Sequence, residues 1–203
     1  MTVIPNDRDP QRFPLVDDEE RRTRREAMAL DGKVVLFLGS LTDEKQPLTA
    51  VEAVSHIEGA TLLVVGDGPL ADDVRDFGER VAPGRVRMLG VSDDPASVIA
   101  ASDVLLLPSR TEGMPGVIIE SMMRGVPVVA TAVGAVPSMI DEGSTGCVVG
   151  VGDVDAMVGA LRTVLAADVV TFRSACRNRA VRDYSPEAVL DRWEALLGGL
   201  SAR

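Results

Sequence analysis

Histidine and cysteine are scarce in this sequence. Its 203 residues include one histidine, His56, in a helix-like segment, and two cysteines, Cys147 and Cys176, with no Cys-x-x-Cys pair. A histidine-based metal site or a Ser-His-Asp triad therefore has almost no material, so we expect no metal and interpret His56 as structural or exposed. Two such cysteines do not form a disulfide framework, and we expect a reduced, cytoplasmic chain.

Excess positive charge and long apolar runs are also lacking. The net charge of −10 argues against a nucleic-acid partner, because nucleic-acid binders need a basic surface. No apolar run approaches the roughly 18 residues of a membrane span, and residues 1–30 are too polar for a signal peptide. Within them, the acids at 17–20 precede arginines by about four residues, an order that predicts a solvated helix face.

The sequence does contain enough apolar residues, 46%, to build a real core. Continuous apolar runs alternate with helix-like segments, a pattern typical of a parallel sheet covered on both faces. We predict a Rossmann-like, doubly wound sheet of six strands in the order 3-2-1-4-5-6, followed by C-terminal helices. The predicted strands are 33–39, 61–69, 85–90, 103–108, 125–131 and 146–150, and the predicted helices are 47–57, 70–82, 94–101, one ending at Arg124, 136–143, 153–166, 169–184 and 185–200.

This topology predicts where a ligand binds. In doubly wound sheets ligands lie beyond the carboxyl ends of the strands, where the strand order reverses. For the predicted order that point is between strands one and four, which are followed by loops 39–47 and 109–116. Lys45 and Glu112 should therefore face one crevice.

The helix that begins near Pro115 and Gly116 is a candidate anion site. Its first N–H groups are unpaired and carry the positive end of the helix dipole. Gly113 and Gly116 allow close approach to the backbone, and Lys45 adds a positive charge, a combination that suits a diphosphate. The sequence has no G-x-G-x-x-G after strand one and no G-x-x-x-x-G-K-[ST], which argues against a dinucleotide oxidoreductase and a P-loop NTPase.

Two glutamates flank this phosphate position. Glu120 lies about one turn into the helix, and its carboxylate can accept two hydrogen bonds from a vicinal diol such as a ribose. Glu112 can accept bonds from a second polyhydroxylated group, so the set suits a nucleotide sugar. Each glutamate alone has an ordinary alternative: Glu112 as an acid favoured by the helix dipole, and Glu120 as an exposed polar residue.

The segment EGMPGVIIE (112–120) resembles the E-x7-E motif of family 4 retaining glycosyltransferases of the GT-B fold. VIPNDRDPQRF (3–13) is similar to that family's PNG-D-x-x-x-F segment, which leads into its C-terminal domain, and VLFLGSLTDEK (35–45) is similar to its GRL-x-x-x-K strand and loop. VVGDGPL, VRMLG, ASDVLLLPSRTEGMP, GVPVVAT and EGSTG follow in the family's order. The resemblance therefore implies the donor-binding half of a GT-B enzyme.

The resemblance also implies roles for individual residues. Lys45 would contact the donor diphosphate and Glu112 the transferred sugar, as the catalytic pair, while Glu120 would hold the ribose. The remaining donor contacts would come from the backbone of Gly113, Met114, Pro115, Gly116 and Val117 and from the backbone near Met88 and Leu89, which would meet the base. The family's usual arginine partner of the lysine is Ser40 here.

The implied organisation has three parts. Residues 1–32 would form an interdomain segment and charged helix, residues 33–184 the nucleotide-sugar-binding domain, and residues 185–203 a helix that packs on an N-terminal acceptor-binding domain outside this sequence. No cofactor or metal is expected, and any peripheral membrane link would come through the absent domain. Without that domain, the apolar stripe of the last helix should be exposed or mediate self-association, which light scattering tests. Its members are Val189, Leu190, Trp193, Leu196, Leu197 and Leu200.

The implied activity is transfer of a sugar from a nucleoside-diphosphate sugar to an acceptor hydroxyl with retention of configuration. We expect the chain alone to bind the donor without transferring it. The alternatives are a non-catalytic nucleotide-sugar-binding module and a sugar-nucleotide epimerase on the same fold. UDP-, GDP- and ADP-sugars are all candidate donors.

Overall fold

In the computed structural model, which describes residues 4–167 and 169–201, all six strands lie parallel in one sheet ordered β3-β2-β1-β4-β5-β6. The predicted fold class is confirmed. The strands are β1 Lys33–Leu38, β2 Ala60–Val65, β3 Val86–Gly90, β4 Val104–Leu107, β5 Val128–Thr131 and β6 Gly146–Val149. The helices are α1 Asp18–Ala27, α2 Pro47–Ser55, α3 Ala71–Val81, α4 Pro95–Ala101, α5 Gly116–Met123, α6 Val136–Met139, α7 Val154–Ala166, α8 Val169–Tyr184 and α9 Pro186–Ser201. Residues 1–3, 168 and 202–203 of the predicted three-part division lie outside the described residues.

The sheet is buried on both faces, which explains its continuous apolar runs. Along β1, Val34 and Leu36 belong to one apolar cluster, whereas Val35 and Phe37 belong to the cluster on the opposite face. All four side chains are at most 1% exposed. Since successive strand residues point to opposite faces, a strand covered by helices on both sides must be apolar at every position.

Several predicted strands and helices are too long, and turns explain the differences. β2 ends at Val65 and not at 69, because Gly66 turns with φ +136 and donates its N–H to the Gly90 carbonyl. β5 begins at Val128 and not at 125. Gly125 has φ +79, and the N–H groups of Gly125 and Val126 donate to carbonyls of the last turn of α5. α6 ends at Met139, four residues before its predicted end.

Helix α1 is only partly the solvated helix that its charge pattern predicts. Arg25 donates to the Asp103 carboxylate at 2.6 Å, and Arg21 donates to the same carboxylate and to the Ser102 carbonyl. Asp103 also accepts the Val34 N–H at 2.7 Å, and its side chain is 9% exposed. The predicted solvated face is therefore wrong for Arg21 and Arg25. The buried Asp103 carboxylate needs hydrogen-bond donors, whereas the exposed acids of α1 are already satisfied by water.

The two cysteines and the single histidine lie away from the carboxyl edge of the sheet or are buried in the core. Both cysteines are buried and free, as expected, and burial, followed by the neighbouring Glu142 carboxylate, raises the pKa of the Cys147 thiol to about 11. His56 is exposed just after α2. Within the described ranges, no helix is long and apolar enough to cross a membrane.

Helix α9 carries the exposed apolar face that was expected. Leu190, Trp193 and Leu197 are 57%, 46% and 56% exposed, whereas Val189 is buried. The side chain of Leu200, the last member of the predicted stripe, lies outside the described residues. Self-association through this face stays a prediction.

Candidate functional site

The loops after β1 and β4 meet at the carboxyl edge of the sheet, as the topology predicts. The Arg110 N–H donates to the Glu44 carbonyl at 2.7 Å, which ties the two loops together. Lys45 Nζ lies 2.7 Å from Glu112 Oε1. Two residues that are 67 positions apart in the chain are therefore in direct contact.

Glu112 is the more buried member of this ion pair. Its side chain is 6% exposed and that of Lys45 is 27% exposed. The Ser109 hydroxyl donates to the same Oε1 at 2.7 Å, and the Ser109 carbonyl in turn accepts the Thr131 hydroxyl. A buried carboxylate is tolerable because a cation and a hydroxyl both satisfy it. Lys45 and Ser109 together therefore give Glu112 a fixed position.

The loop between β5 and α6 supports the backbone at Glu112. The Ala135 N–H donates to the Gly113 carbonyl at 2.9 Å. Gly134 has φ +53, and a Cβ there would overlap the Glu112 carbonyl and lie 2.7 Å from the Gly113 carbonyl oxygen. The backbone of the Glu112 loop thus rests directly on Gly134.

Helix α5 begins beside this cluster without a side-chain cap. Pro115 precedes its first residue, Gly116, and has no side chain that can cap the helix. A guanidinium lies against Gly116 instead, since a Cβ at this position would overlap Arg8 Nη2 and lie 2.9 Å from Arg8 Cζ. Arg8 Nε lies 2.6 Å from Glu120 Oε1. With a side chain only 16% exposed, Glu120 is paired with Arg8 and is not a solvent-exposed acid.

Arg8 is the site residue that the sequence analysis did not identify. Its segment is held on the domain by the bond from the Arg8 N–H to the Tyr184 carbonyl, 2.9 Å, and by the bond from the Asn6 amide to the Met114 carbonyl, 3.3 Å. The available signal was a cation directly after Pro5-Asn6-Asp7, in a segment whose resemblance places it beside the donor domain.

The other predicted donor contacts lie on β3 and in the loops after β1 and β4. Met88, half-buried, and Leu89, 37% exposed, are on edge strand β3, which β2 separates from β1. Ser40 is exposed in the loop after β1, so this position offers a hydroxyl and no charge. Gly113 is exposed, and a Cβ there would meet nothing within 4 Å.

Met114 and Pro115 follow Glu112 in the loop after β4. Met114 is half-buried, Pro115 is buried, and Val117 is half-buried in the first turn of α5. In residues 4–167 and 169–201, no group of three or more His, Cys, Asp or Glu side chains could hold a metal ion.

Comparison with known families identifies this arrangement. A model of the family described as "Glycosyl transferases group 1" matches residues 32–167, the part that contains the sheet, Lys45, Glu112 and Glu120. The chain belongs to the group 1 glycosyl transferases. Membership explains why the ordered motifs extend over nearly the whole sequence.

Relatives of this glycosyl transferase chain are about twice its length. It is 32% identical over 170 residues to the lipopolysaccharide core biosynthesis glycosyltransferase LpsE of Rhizobium meliloti, covering 82% of this chain and 50% of that protein. Sucrose-phosphate synthase from Thermosynechococcus elongatus is 28% identical with a TM-score of 0.81, covering 99% of this chain and 53% of that one. Anabaena HepE, solved with UDP and glucose, has a TM-score of 0.82 at 21% identity, covering 100% and 57%. The chain thus has the Rossmann-like fold of one GT-B domain and spans about half of the proteins it matches.

The contact at Gly134 generates a stability prediction. Gly134→Ala should lower the free energy of unfolding by about 1–2 kcal/mol for its positive φ and by about 1–3 kcal/mol more because the new Cβ overlaps backbone. The control is Gly143→Ala, where φ is +73 and a Cβ would meet nothing within 4 Å. Urea unfolding of both variants measures the difference. Equal losses would show that the Glu112 loop does not depend on this contact.

Proposed function

We propose that this chain is the donor-binding half of a glycosyltransferase that moves a sugar from a nucleoside-diphosphate sugar to an acceptor hydroxyl with retention of configuration. The observation that carries the proposal is the cluster of Lys45 and Glu112 beside the start of α5, with Glu120 one turn farther along. Membership in the group 1 glycosyl transferases supports the same class of reaction and favours transfer over epimerisation.

The proposed chemistry is stabilisation of charge on the departing diphosphate. Lys45 is the more exposed member of its pair and can turn its ammonium toward a phosphate while keeping contact with Glu112. The first N–H groups of α5, at Gly116 and Val117, add preorganised donors, and one such donor is worth about 3–4 kcal/mol in a transition state. This design uses electrostatics from the protein alone and requires no metal.

The two glutamates take the two sugars of the donor in this proposal. Glu112, fixed by Ser109, accepts hydroxyls of the transferred sugar, and the backbone from Gly113 to Val117 contacts that sugar and the β-phosphate. Glu120 accepts the ribose hydroxyls. The base extends toward Met88 and Leu89 on β3. UDP is the first nucleotide to test, since Anabaena HepE was solved with UDP and glucose.

The acceptor half of the reaction is proposed to belong to a second domain. The chain spans about half of its relatives, covering 50% of LpsE. The apolar face of α9, with Leu190 and Trp193 exposed, is the surface on which that domain would pack. The competing candidate is a non-catalytic nucleotide-sugar-binding module, which would share the donor site but have no acceptor domain.

Removing the Lys45 ammonium should weaken diphosphate binding. Lys45→Ala is expected to lower UDP affinity at least about tenfold, since a hydrogen bond to a charged group contributes about 1.5–3 kcal/mol. The control is Lys33→Ala, which removes the chain's other lysine at the exposed start of β1, the opposite edge of the sheet. Calorimetric titration measures both. Equal UDP affinity in the two variants would remove Lys45 from the phosphate site.

Removing the Glu120 carboxylate should abolish the preference for ribose. The unaltered chain is expected to bind UDP about tenfold more tightly than 2′-deoxy-UDP, because the deoxy sugar offers one hydroxyl fewer to the charged acceptor. Glu120→Ala should bind both nucleotides equally, and Glu79→Ala, which removes an exposed acid of α3, should keep the preference. A preference that survives in Glu120→Ala contradicts the diol assignment.

The chain alone should bind a UDP-sugar without releasing UDP. The reason is that the acceptor and the water-excluding second wall of the crevice are proposed to lie on another domain. Chromatographic measurement of UDP from a panel of UDP-sugars tests this. Turnover that disappears in Lys45→Ala would show that this half is active by itself.

A further inference from the structure

The side chain of Arg8 lies in an electrostatically unusual place. Its guanidinium rests on Gly116, the first residue of α5, although the start of a helix carries partial positive charge and favours anions. Glu120 compensates at 2.6 Å, and the Asp7 carbonyl accepts from Arg8 Nη1 at 2.8 Å. An anion that binds beside Gly116 would be stabilised by both the guanidinium and the helix start.

Charge balance in the crevice supports this interpretation. Lys45 is paired with Glu112, and Arg8 is paired with Glu120, so these four side chains carry no net charge. A nucleoside diphosphate brings about two to three negative charges. Ser40 contributes no charge to balance them. Ribose hydroxyls on Glu120 would compete with Arg8 Nε for Oε1, the carboxylate oxygen that Arg8 contacts, so that the guanidinium can donate to a phosphate instead.

We propose that Arg8 is a donor-binding residue that exchanges Glu120 for the diphosphate. When the ribose binds Glu120, the Arg8 guanidinium stays against Gly116 and donates to a phosphate oxygen there, as a second cation beside Lys45. This proposal rests on the proposed function. The exchange changes the acceptor of the guanidinium and needs no movement of the backbone, because the Arg8 N–H is held by the Tyr184 carbonyl and the side chain is 33% exposed.

Two other roles of Arg8 make different predictions. If Arg8 only blocks Glu120, removing it should tighten the binding of every nucleotide. If it only fixes residues 4–16 to the domain, removing it should lower stability and leave the difference between UDP and uridine unchanged. The proposed exchange affects the phosphate-dependent part of binding, so a comparison of UDP with uridine distinguishes all three.

The experiment titrates UDP and uridine against the 203-residue chain and two variants. Arg8→Ala is expected to weaken UDP at least about tenfold, the effect of losing one charged hydrogen bond, while uridine affinity stays equal or rises because Glu120 is released. The control is Arg12→Ala, which removes the same charge from an exposed position of the same segment. It should leave both affinities unchanged.

Arg8→Lys and Arg8→Gln provide the same test with smaller changes to the side chain, in case Arg8→Ala does not fold. Lysine retains the charge and should recover part of the UDP affinity, whereas glutamine retains hydrogen bonding only and should behave as alanine does. UDP affinity that is unchanged or higher in Arg8→Ala or Arg8→Gln would overturn the proposal. Failure of the unaltered chain to bind UDP and uridine would instead contradict the proposed donor site itself.

Discussion

Burial of the sheet on both faces is the constraint on which the rest of this structure depends. Val34 to Phe37 of β1 and all of β4 are at most 3% exposed, so their faces have no room for polar chemistry. Charged groups must therefore lie at the two edges where strands begin and end. Parallel strands place all their carboxyl ends at one edge, and the loops after β1 and β4 bring Lys45 and Glu112 together there.

The two edges use ion pairs in different ways. At the amino edge, Asp103 is 9% exposed and accepts hydrogen bonds from Arg21, Arg25 and the Val34 N–H. At the carboxyl edge, each carboxylate is bound to one cation that remains partly open to solvent, 27% for Lys45 and 33% for Arg8. The first arrangement fixes α1 to the sheet, and the second leaves cations that a ligand can reach.

Sequence periodicity was sufficient for the fold and for half of the site. Apolar runs identify strands because burial on two faces requires them, and topology then brings Lys45 to Glu112. The spacing of apolar residues does not predict which distant charged side chains form ion pairs. Arg8 and Glu120 are 112 positions apart, and Arg25 prefers Asp103, 78 positions away, to the acids of its own helix. Such choices depend on which buried carboxylate lacks donors, and this is known only once the backbone is folded.

Gly116 leaves space at the start of α5 because it has no side chain. From the sequence, this glycine is expected to leave space for a ligand at the start of α5, and in the structure the flat guanidinium of Arg8 lies in that space, against Glu120. The guanidinium is planar and can donate several hydrogen bonds, so at this position it can bind a phosphate, whose oxygens accept them. The exchange proposed for Arg8 would therefore make residues 4–16, which lead into the domain, part of donor recognition. It would couple donor binding to the segment through which a neighbouring domain is proposed to be connected.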